Sequence, residues 1–267
     1  MENKGWEVSL GATIINTDDW GVNVDLNFSQ NKNKVTKTKD NKDIPTIAGG
    51  NDASGSNSII RVGQPLSVFF TPKFLGLDKD GIPLHENLNG DKDGNGRDVI
   101  NAADNQVTGS PYPDLYYGIS PSVRYKQLSL SMIWAGVSGM LLNNFARYDL
   151  TTPVISNQFN KLKEANELYP RPSQTAGNFH LRSSRFVESG DFFRLRNVRL
   201  DYTFKLKSKA IKSLNVYLSA QNLITFTGYS GYDPEVNSFN GNDRRQGVDL
   251  GAYPSAKTYN LGFGISF

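Results

Sequence analysis

The residues whose types and spacing suit chemistry are few, and each set falls short of a catalytic constellation. Asp91, Asp93 and Asn95, followed by Gly96, alternate like the first half of an EF-hand loop, where side-chain oxygens at every second position converge on Ca²⁺. The twelfth position of such a loop is Ala102, which offers no bidentate carboxylate, so the segment reads as a polar turn with a weak calcium signature. The two histidines, His85 and His180, lie far apart in long loop-like stretches and read as solvated loop residues. There is no G-x-S-x-G, no H-E-x-x-H and no phosphate-binding loop. The expectation is a protein that is not an enzyme and needs no cofactor.

Two tyrosine groups suit binding. Tyr229, Tyr232 and Asp233 fall in T-G-Y-S-G-Y-D-P-E-V, just past a strand-like segment, and Tyr112, Tyr116 and Tyr117 precede another. Aromatic faces stack on sugar rings or cover an apolar partner surface. They serve equally for packing within a loop or for a belt at a membrane interface. These six residues are the candidate substrate or partner contacts.

Whatever these residues do, strands must position them. The chain holds 25 Gly, 12 Pro, 12 Tyr and 15 Phe, with its aliphatic residues in short runs. A net charge of +3, with Lys and Arg spread among Asp and Glu, gives no case for nucleic acid. Absence of cysteine excludes disulfides and thiolate metal sites. No signal segment is visible after Met1, so the expectation is that it was removed or that the chain starts inside a longer one. No run of 18 apolar residues exists, which excludes a transmembrane helix and leaves a membrane barrel untouched.

Period-two alternation is the dominant signal. Tyr259, Leu261, Phe263, Ile265 and Phe267 share one face of the last segment, with Thr258, Asn260, Gly262, Gly264 and Ser266 on the other. Trp6, Val8, Leu10, Ala12 and Ile14 repeat the pattern. So do Trp20, Val22, Val24, Leu26 and Phe28, joined to them by the turn residues Asn16 to Asp19. Leu128 to Trp134 reads as a strand, with Ala135-Gly136 turning the chain into a weaker one reaching Tyr148. Phe192 to Phe204 and Leu214 to Ala220 follow. Arg194, Arg196 and Arg199 lie largely opposite the apolar face, with a phase slip near Asn197 that a bulge explains. Arginine on a lipid face costs ~2–4 kcal/mol at midplane, so these arginines are expected to face a water-filled lumen.

The links are unequal. Asn16–Asp19, Val62–Pro65, Ala135-Gly136 and Lys207–Lys212 are short; 31–57, 77–120, 150–188 and 225–256 are long. Alternating short turns and long loops is the asymmetry of outer-membrane barrels. Parity then asks for a hairpin from Asn57–Arg61 and Leu66–Leu75, giving nine strands. Single-chain bacterial barrels have an even number, so the remaining strands are expected from elsewhere. An open sheet in hydrocarbon leaves two rows of unpaired backbone groups, each costing several kcal/mol. A soluble β-sandwich that binds carbohydrate and a passive porin are the alternatives.

Several segments carry a family resemblance. E-N-K-G-W-E-V, N-F-S-Q-N-K-N-K-V, I-R-V-G-Q-P-L with K-F-L-G-L-D, residues 183–204, residues 216–236 and the ending Y-P-S-A-K-T-Y-N-L-G-F-G-I-S-F resemble the SusC/RagA-type TonB-dependent transporters of Bacteroidota. The resemblance implies a 22-stranded antiparallel transmembrane β-barrel in the outer membrane, long loops extracellular, of which residues 1–267 are the C-terminal part. The plug domain and earlier strands are absent from this sequence. It also implies import of glycans, oligosaccharides or peptides, a SusD-like surface lipoprotein, and energy from TonB–ExbB–ExbD acting through the missing plug.

Overall fold

Residues with alternating apolar and small polar side chains become strands because the pleat sends successive side chains to opposite faces. The computed structural model describes residues 1–46, 58–152, 160–169, 182–207, 210–236, 238 and 246–267. Among them seven long strands form one antiparallel sheet in chain order: β1 (Glu2–Asn16), β2 (Trp20–Lys34), β3 (Leu115–Tyr125), β4 (Leu128–Ser138), β5 (Phe192–Lys205), β6 (Ser213–Gln221) and β7 (Thr258–Ser266). A short strand, Thr225–Thr227, adds beside the start of β5. The outermost strands, β1 and β7, do not pair with each other, so the sheet is open.

Register shows what the sheet is for. Directly opposed residues of an antiparallel pair share a face. One apolar row, Ile15–Val22–Val123–Leu130–Leu200–Leu218–Leu261, crosses all seven strands. The neighbouring row on the other face, Thr13–Asn23–Ser122–Ser131–Arg199–Ser219–Asn260, is polar throughout. Leu218 is 55% exposed and Leu261 66%, with nothing among the described residues covering them. A face of this size left bare in water would aggregate; against lipid it is matched.

Aromatic side chains bound this apolar face at both ends. Near the short turns Trp20 lies 4.5 Å from Tyr125, and Tyr202 4.6 Å from Phe204, between ring centroids. At the other end Tyr117, Phe193, Trp134 and Phe226 form a stacked series, with centroid separations of 5.6, 4.9 and 6.2 Å. Along β2 the two levels are Trp20 and Phe28, about 27 Å apart at the usual rise and about 21 Å once a strand tilts by roughly 40°. That matches the apolar band of about 25 Å on an outer-membrane barrel with its aromatic girdles.

The links alternate as expected. Residues 17–19, 126–127 and 206–212 turn at one end, while 35–114, 139–191 and 222–257 make long excursions at the other. The strand inventory differs from the sequence expectation: seven long strands, not nine. Residues 115–125 form a wall strand that sequence reading missed. Ala135 and Gly136 lie inside β4 instead of turning the chain. A Cβ on Gly136 would meet the Phe192 carbonyl oxygen at 2.5 Å and the Tyr117 ring at 2.7 Å, so glycine here permits close approach. The segment expected as a strand to Tyr148 is a short strand, Leu141–Asn144, followed by a helix, Phe145–Thr151.

The expected hairpin from 57–61 and 66–75 is also not in the wall. Asn57 lies outside the described residues. Ser58–Ile60 and Val68–Pro72 belong to a separate four-stranded sheet with Ile44–Thr46 and Asn105–Gly109, and Phe74–Leu77 pairs with Pro83–His85. The physical reason is two-sided burial. Ser58, Ile59, Ile60, Val68, Phe69 and Thr71 are all buried, whereas a wall strand shows one face to lipid. The described parts of these excursions therefore fold into a cap with its own core of Phe69, Phe145, Tyr148, Tyr169, Phe186 and Val248.

Candidate functional site

The polar face of the sheet carries a concavity of about 530 Å³ at its long-loop end. Its floor follows from register. Glu7, Ser29, Tyr116, Val137 and Phe192 lie in one row across β1 to β5, and Ser9, Asn27, Gly118, Ala135 and Arg194 lie in the next. Ser9 Oγ donates to Asn27 Oδ1 at 2.8 Å, tying β1 to β2 beneath the opening. The Glu7 carboxylate, the Tyr116 ring and the Arg196–Glu235 ion pair surround it, an array suited to a polar ligand passing along a wet wall.

Arg196 reaches this place through a bulge. The β4–β5 register shifts between Ile133 and Trp134, which face Asn197 and Leu195, leaving Arg196 as the extra residue. The phase slip read near Asn197 is this bulge. Arg194 and Arg199 sit on the polar face, opposite Ala135 and Ser131. The Arg199 guanidinium stacks 3.7 Å from the Tyr217 ring centroid and pairs with Asp201 at 2.7 Å.

A buried ionic lock straps the excursion after β6 onto β5. Arg194, 3% exposed, donates from Nη2 to Asp233 Oδ1 at 2.5 Å and from Nε to Thr225 Oγ1 at 2.9 Å; its Nη1 lies 2.7 Å from Glu235 Oε2. Asp233 also accepts from the backbone N–H groups of Ser255 (2.8 Å) and Glu235 (3.0 Å). Burial pushes its pKa up, but Arg194 and these N–H groups outweigh burial and hold the carboxyl at about 2. Beside it, Glu188 accepts from Arg147 Nη1 (2.9 Å), Ser230 Oγ (2.9 Å) and Ser230 N (3.0 Å). These bonds join separate excursions into one rigid cap.

The sequence-derived candidates divide accordingly. Tyr116, 44% exposed, lines the concavity. Tyr117 belongs to the outer aromatic series, with its hydroxyl 3.4 Å from the Phe192 carbonyl. Tyr112 is half-buried at the start of the turn into β3, its N–H donating to Ser110 Oγ at 3.2 Å. Tyr229 is 6% exposed and donates to Asp249 Oδ2 at 2.7 Å; burial first and that carboxylate second raise its pKa. Tyr229 is thus a core residue, while Tyr232, 73% exposed, is free to contact a partner. Asp233 is the acidic half of the lock.

The oxygens of the calcium-like turn are engaged within the loop. Asp91 Oδ2 accepts from the Asn89 and Asn101 amides, and Asp93 Oδ1 from the N–H groups of Asn95 and Arg97, each at 2.8 Å. Among the described residues no three His, Asp or Glu side chains are grouped to hold a metal. His85 corrects the expectation of a solvated histidine. It is 6% exposed, edge-on to Phe74 at 5.8 Å, and burial with the nearby Arg185 charge lowers its pKa to about 4. His180 lies outside the described residues. Arg196, Glu7 and Glu235 are the site residues that sequence reading did not bring together; Glu7 looked like an ordinary polar position of an alternating strand, and Glu235 like part of a long loop.

No family model matches the chain. The whole chain aligns with 29% of TonB-dependent receptor P3 of Formosa agariphila, at 31% identity over 294 residues. It also aligns with 26% of TonB-dependent receptor SusC of Bacteroides thetaiotaomicron, at 29% identity. Among solved structures, the RagAB peptide importer in its closed-closed state superposes over 99% of this chain and 29% of that one, with a TM-score of 0.77 and 26% identity. The chain belongs with the SusC/RagA-type TonB-dependent receptors. It spans less than a third of the length of the relatives it matches. Its open seven-stranded antiparallel sheet matches a sector of the outer-membrane β-barrel of these relatives.

Proposed function

We propose that this chain forms part of the C-terminal wall and the extracellular cap of a TonB-dependent nutrient importer. The observation that carries the proposal is the seven-residue apolar row backed by a polar row, with long excursions at one end only. In this reading the apolar face meets lipid, the concavity around Glu7, Tyr116 and Arg196 lines the transport path, and the cap carries the extracellular loops. Strands beyond β1 and β7, a plug domain, a SusD-like lipoprotein lid and TonB–ExbB–ExbD complete the machine.

The cargo class is glycan, oligosaccharide or peptide. The likeness to an importer whose solved structure is described as a peptide transporter supports the peptide arm. Mixed charge at Glu7, Arg196 and Glu235 suits peptide termini and side chains better than uncharged sugar. The test is uptake by cells with and without the protein, using labelled oligopeptides and labelled oligosaccharides. Peptide uptake that is lost on deletion and abolished by collapsing the proton gradient is expected. Unchanged uptake of both classes overturns the assignment.

A further inference from the structure

The outer face of β1 and β2 continues past the upper aromatic level and changes character. Above Val8–Phe28 the same face carries Trp6–Gln30, then Lys4–Lys32, then Glu2–Lys34. These strands keep regular pairing for three rungs beyond the apolar band, so the lysines stand on a rigid ladder and not in a loop. Together they line a concavity of about 500 Å³. The backbone at Gly5, whose own Cβ position faces the other side of the sheet, contributes to its lining between the Trp6 and Lys4 rungs. Trp6 is held at its lower rim by donation from Nε1 to Gln30 Oε1 at 3.0 Å.

The charge balance selects the occupant. Three lysines face a single carboxylate, Glu2, which pairs with Lys4. Lys32 and Lys34 are exposed. The site starts at the level where an aromatic girdle meets headgroups and opens on the lipid side of the wall. Long lysine stems reach along an apolar surface and present ammonium groups at that level. We infer that Trp6, Lys4, Lys32 and Lys34 form a site for the phosphate of an anionic lipid headgroup at the long-loop end of the barrel. The inference rests on the reading of this face as membrane-facing. It adds a fixed lipid contact to what is otherwise a uniform apolar band.

The test uses the full-length protein purified in detergent and native mass spectrometry. Phosphatidic acid and diacylglycerol are compared as probes, since they differ only by the phosphate, with inorganic phosphate as competitor. The variant K4Q/K32Q/K34Q is measured beside wild type. Wild type is expected to retain phosphatidic acid over diacylglycerol, and the variant to lose roughly tenfold or more of that preference. Equal retention of both lipids by wild type, or an unchanged preference in the variant, overturns the inference. Complete displacement by millimolar inorganic phosphate overturns the lipid assignment in favour of a free anion. Heat-modifiable migration on gels reports barrel assembly separately. An assembled barrel without lipid preference sinks this inference alone, whereas a protein that stays soluble and folded without detergent sinks the membrane reading with it.

Discussion

Two neighbouring residues on β7 separate a membrane wall from a soluble sheet. Leu261 and Asn260 are both exposed, lie on the same strand and point to opposite faces. Leu261 closes the apolar row that begins at Ile15; Asn260 closes the polar row beside it. If the apolar face meets lipid, Leu261→Arg places a guanidinium in hydrocarbon between the aromatic levels, at a cost of ~2–4 kcal/mol. Asn260→Arg places the same group in a wet lumen, where surface substitutions stay within about 0.5 kcal/mol. A soluble sheet would give both substitutions the small effect, because both sites are exposed. The assay is assembly in the outer membrane of the full-length protein, read as the heat-modifiable fraction, and denaturant unfolding after reconstitution in vesicles. At about 1.4 kcal/mol per tenfold, the difference corresponds to roughly 30- to 700-fold in the folding equilibrium. Equal behaviour of the two variants would refute the assignment of faces.

Other consequences concern the cap. Arg194→Met removes the guanidinium paired with buried Asp233 and leaves the carboxylate with its backbone N–H donors; breaking such a pair costs about 3–5 kcal/mol. Hydrogen exchange over Tyr229–Val236 should rise sharply in that variant while β2 and β3 stay protected, and unchanged exchange would count against the lock. Tyr229→Phe leaves Asp249 with its two backbone donors from Gly251 and Ala252 and should cost about 1–3 kcal/mol, read as a lower thermal midpoint of the cap. The pH response follows from His85. Its folded pKa of about 4 lies below its unfolded 6.5, so its contribution is complete above pH 6.5 and is lost as pH falls toward 4, about 3 kcal/mol in all. Asp233, held at about 2, keeps its contribution until pH falls below about 4. Between pH 6.5 and 4 the Phe74–His85 hairpin should therefore lose exchange protection while the Arg194 lock persists. Equal protection of the hairpin at pH 7 and 4.5 would contradict this.

Period two made the wall legible wherever one face was apolar and the other small. β1, β2, β5, β6 and β7 read directly, and even the bulge at Arg196 showed as a phase slip. β3 escaped although Leu115, Tyr117, Ile119, Pro121, Val123 and Tyr125 alternate in one phase, because only three of the six are aliphatic and Pro121 reads as a strand breaker. Gly136 looked like a turn because sequence shows what glycine allows and not the Tyr117 ring packed against it. The missing β3 and the misplaced hairpin at 57–75 were coupled: parity demanded two strands, and the wrong segment supplied them. Burial within the cap was the least legible. Nothing near His85 or Tyr229 in sequence announces the distant partners, Ser184 and Arg185 beside the first hairpin and Asp249 beside the tyrosine, that enclose them. Long-range packing among loops leaves no periodic trace.

The central claim is that β1 and β7 are interior strands of a larger barrel. On an edge strand, alternate backbone N–H groups point away from the sheet and exchange freely; on an interior strand every one is bonded. Hydrogen exchange of the full-length protein, isolated from the outer membrane in detergent, reads this residue by residue across Glu2–Asn16 and Thr258–Ser266. Protection at every position in both strands is the predicted result. Protection at alternate residues only, with the others exchanging as open edges, would contradict the account.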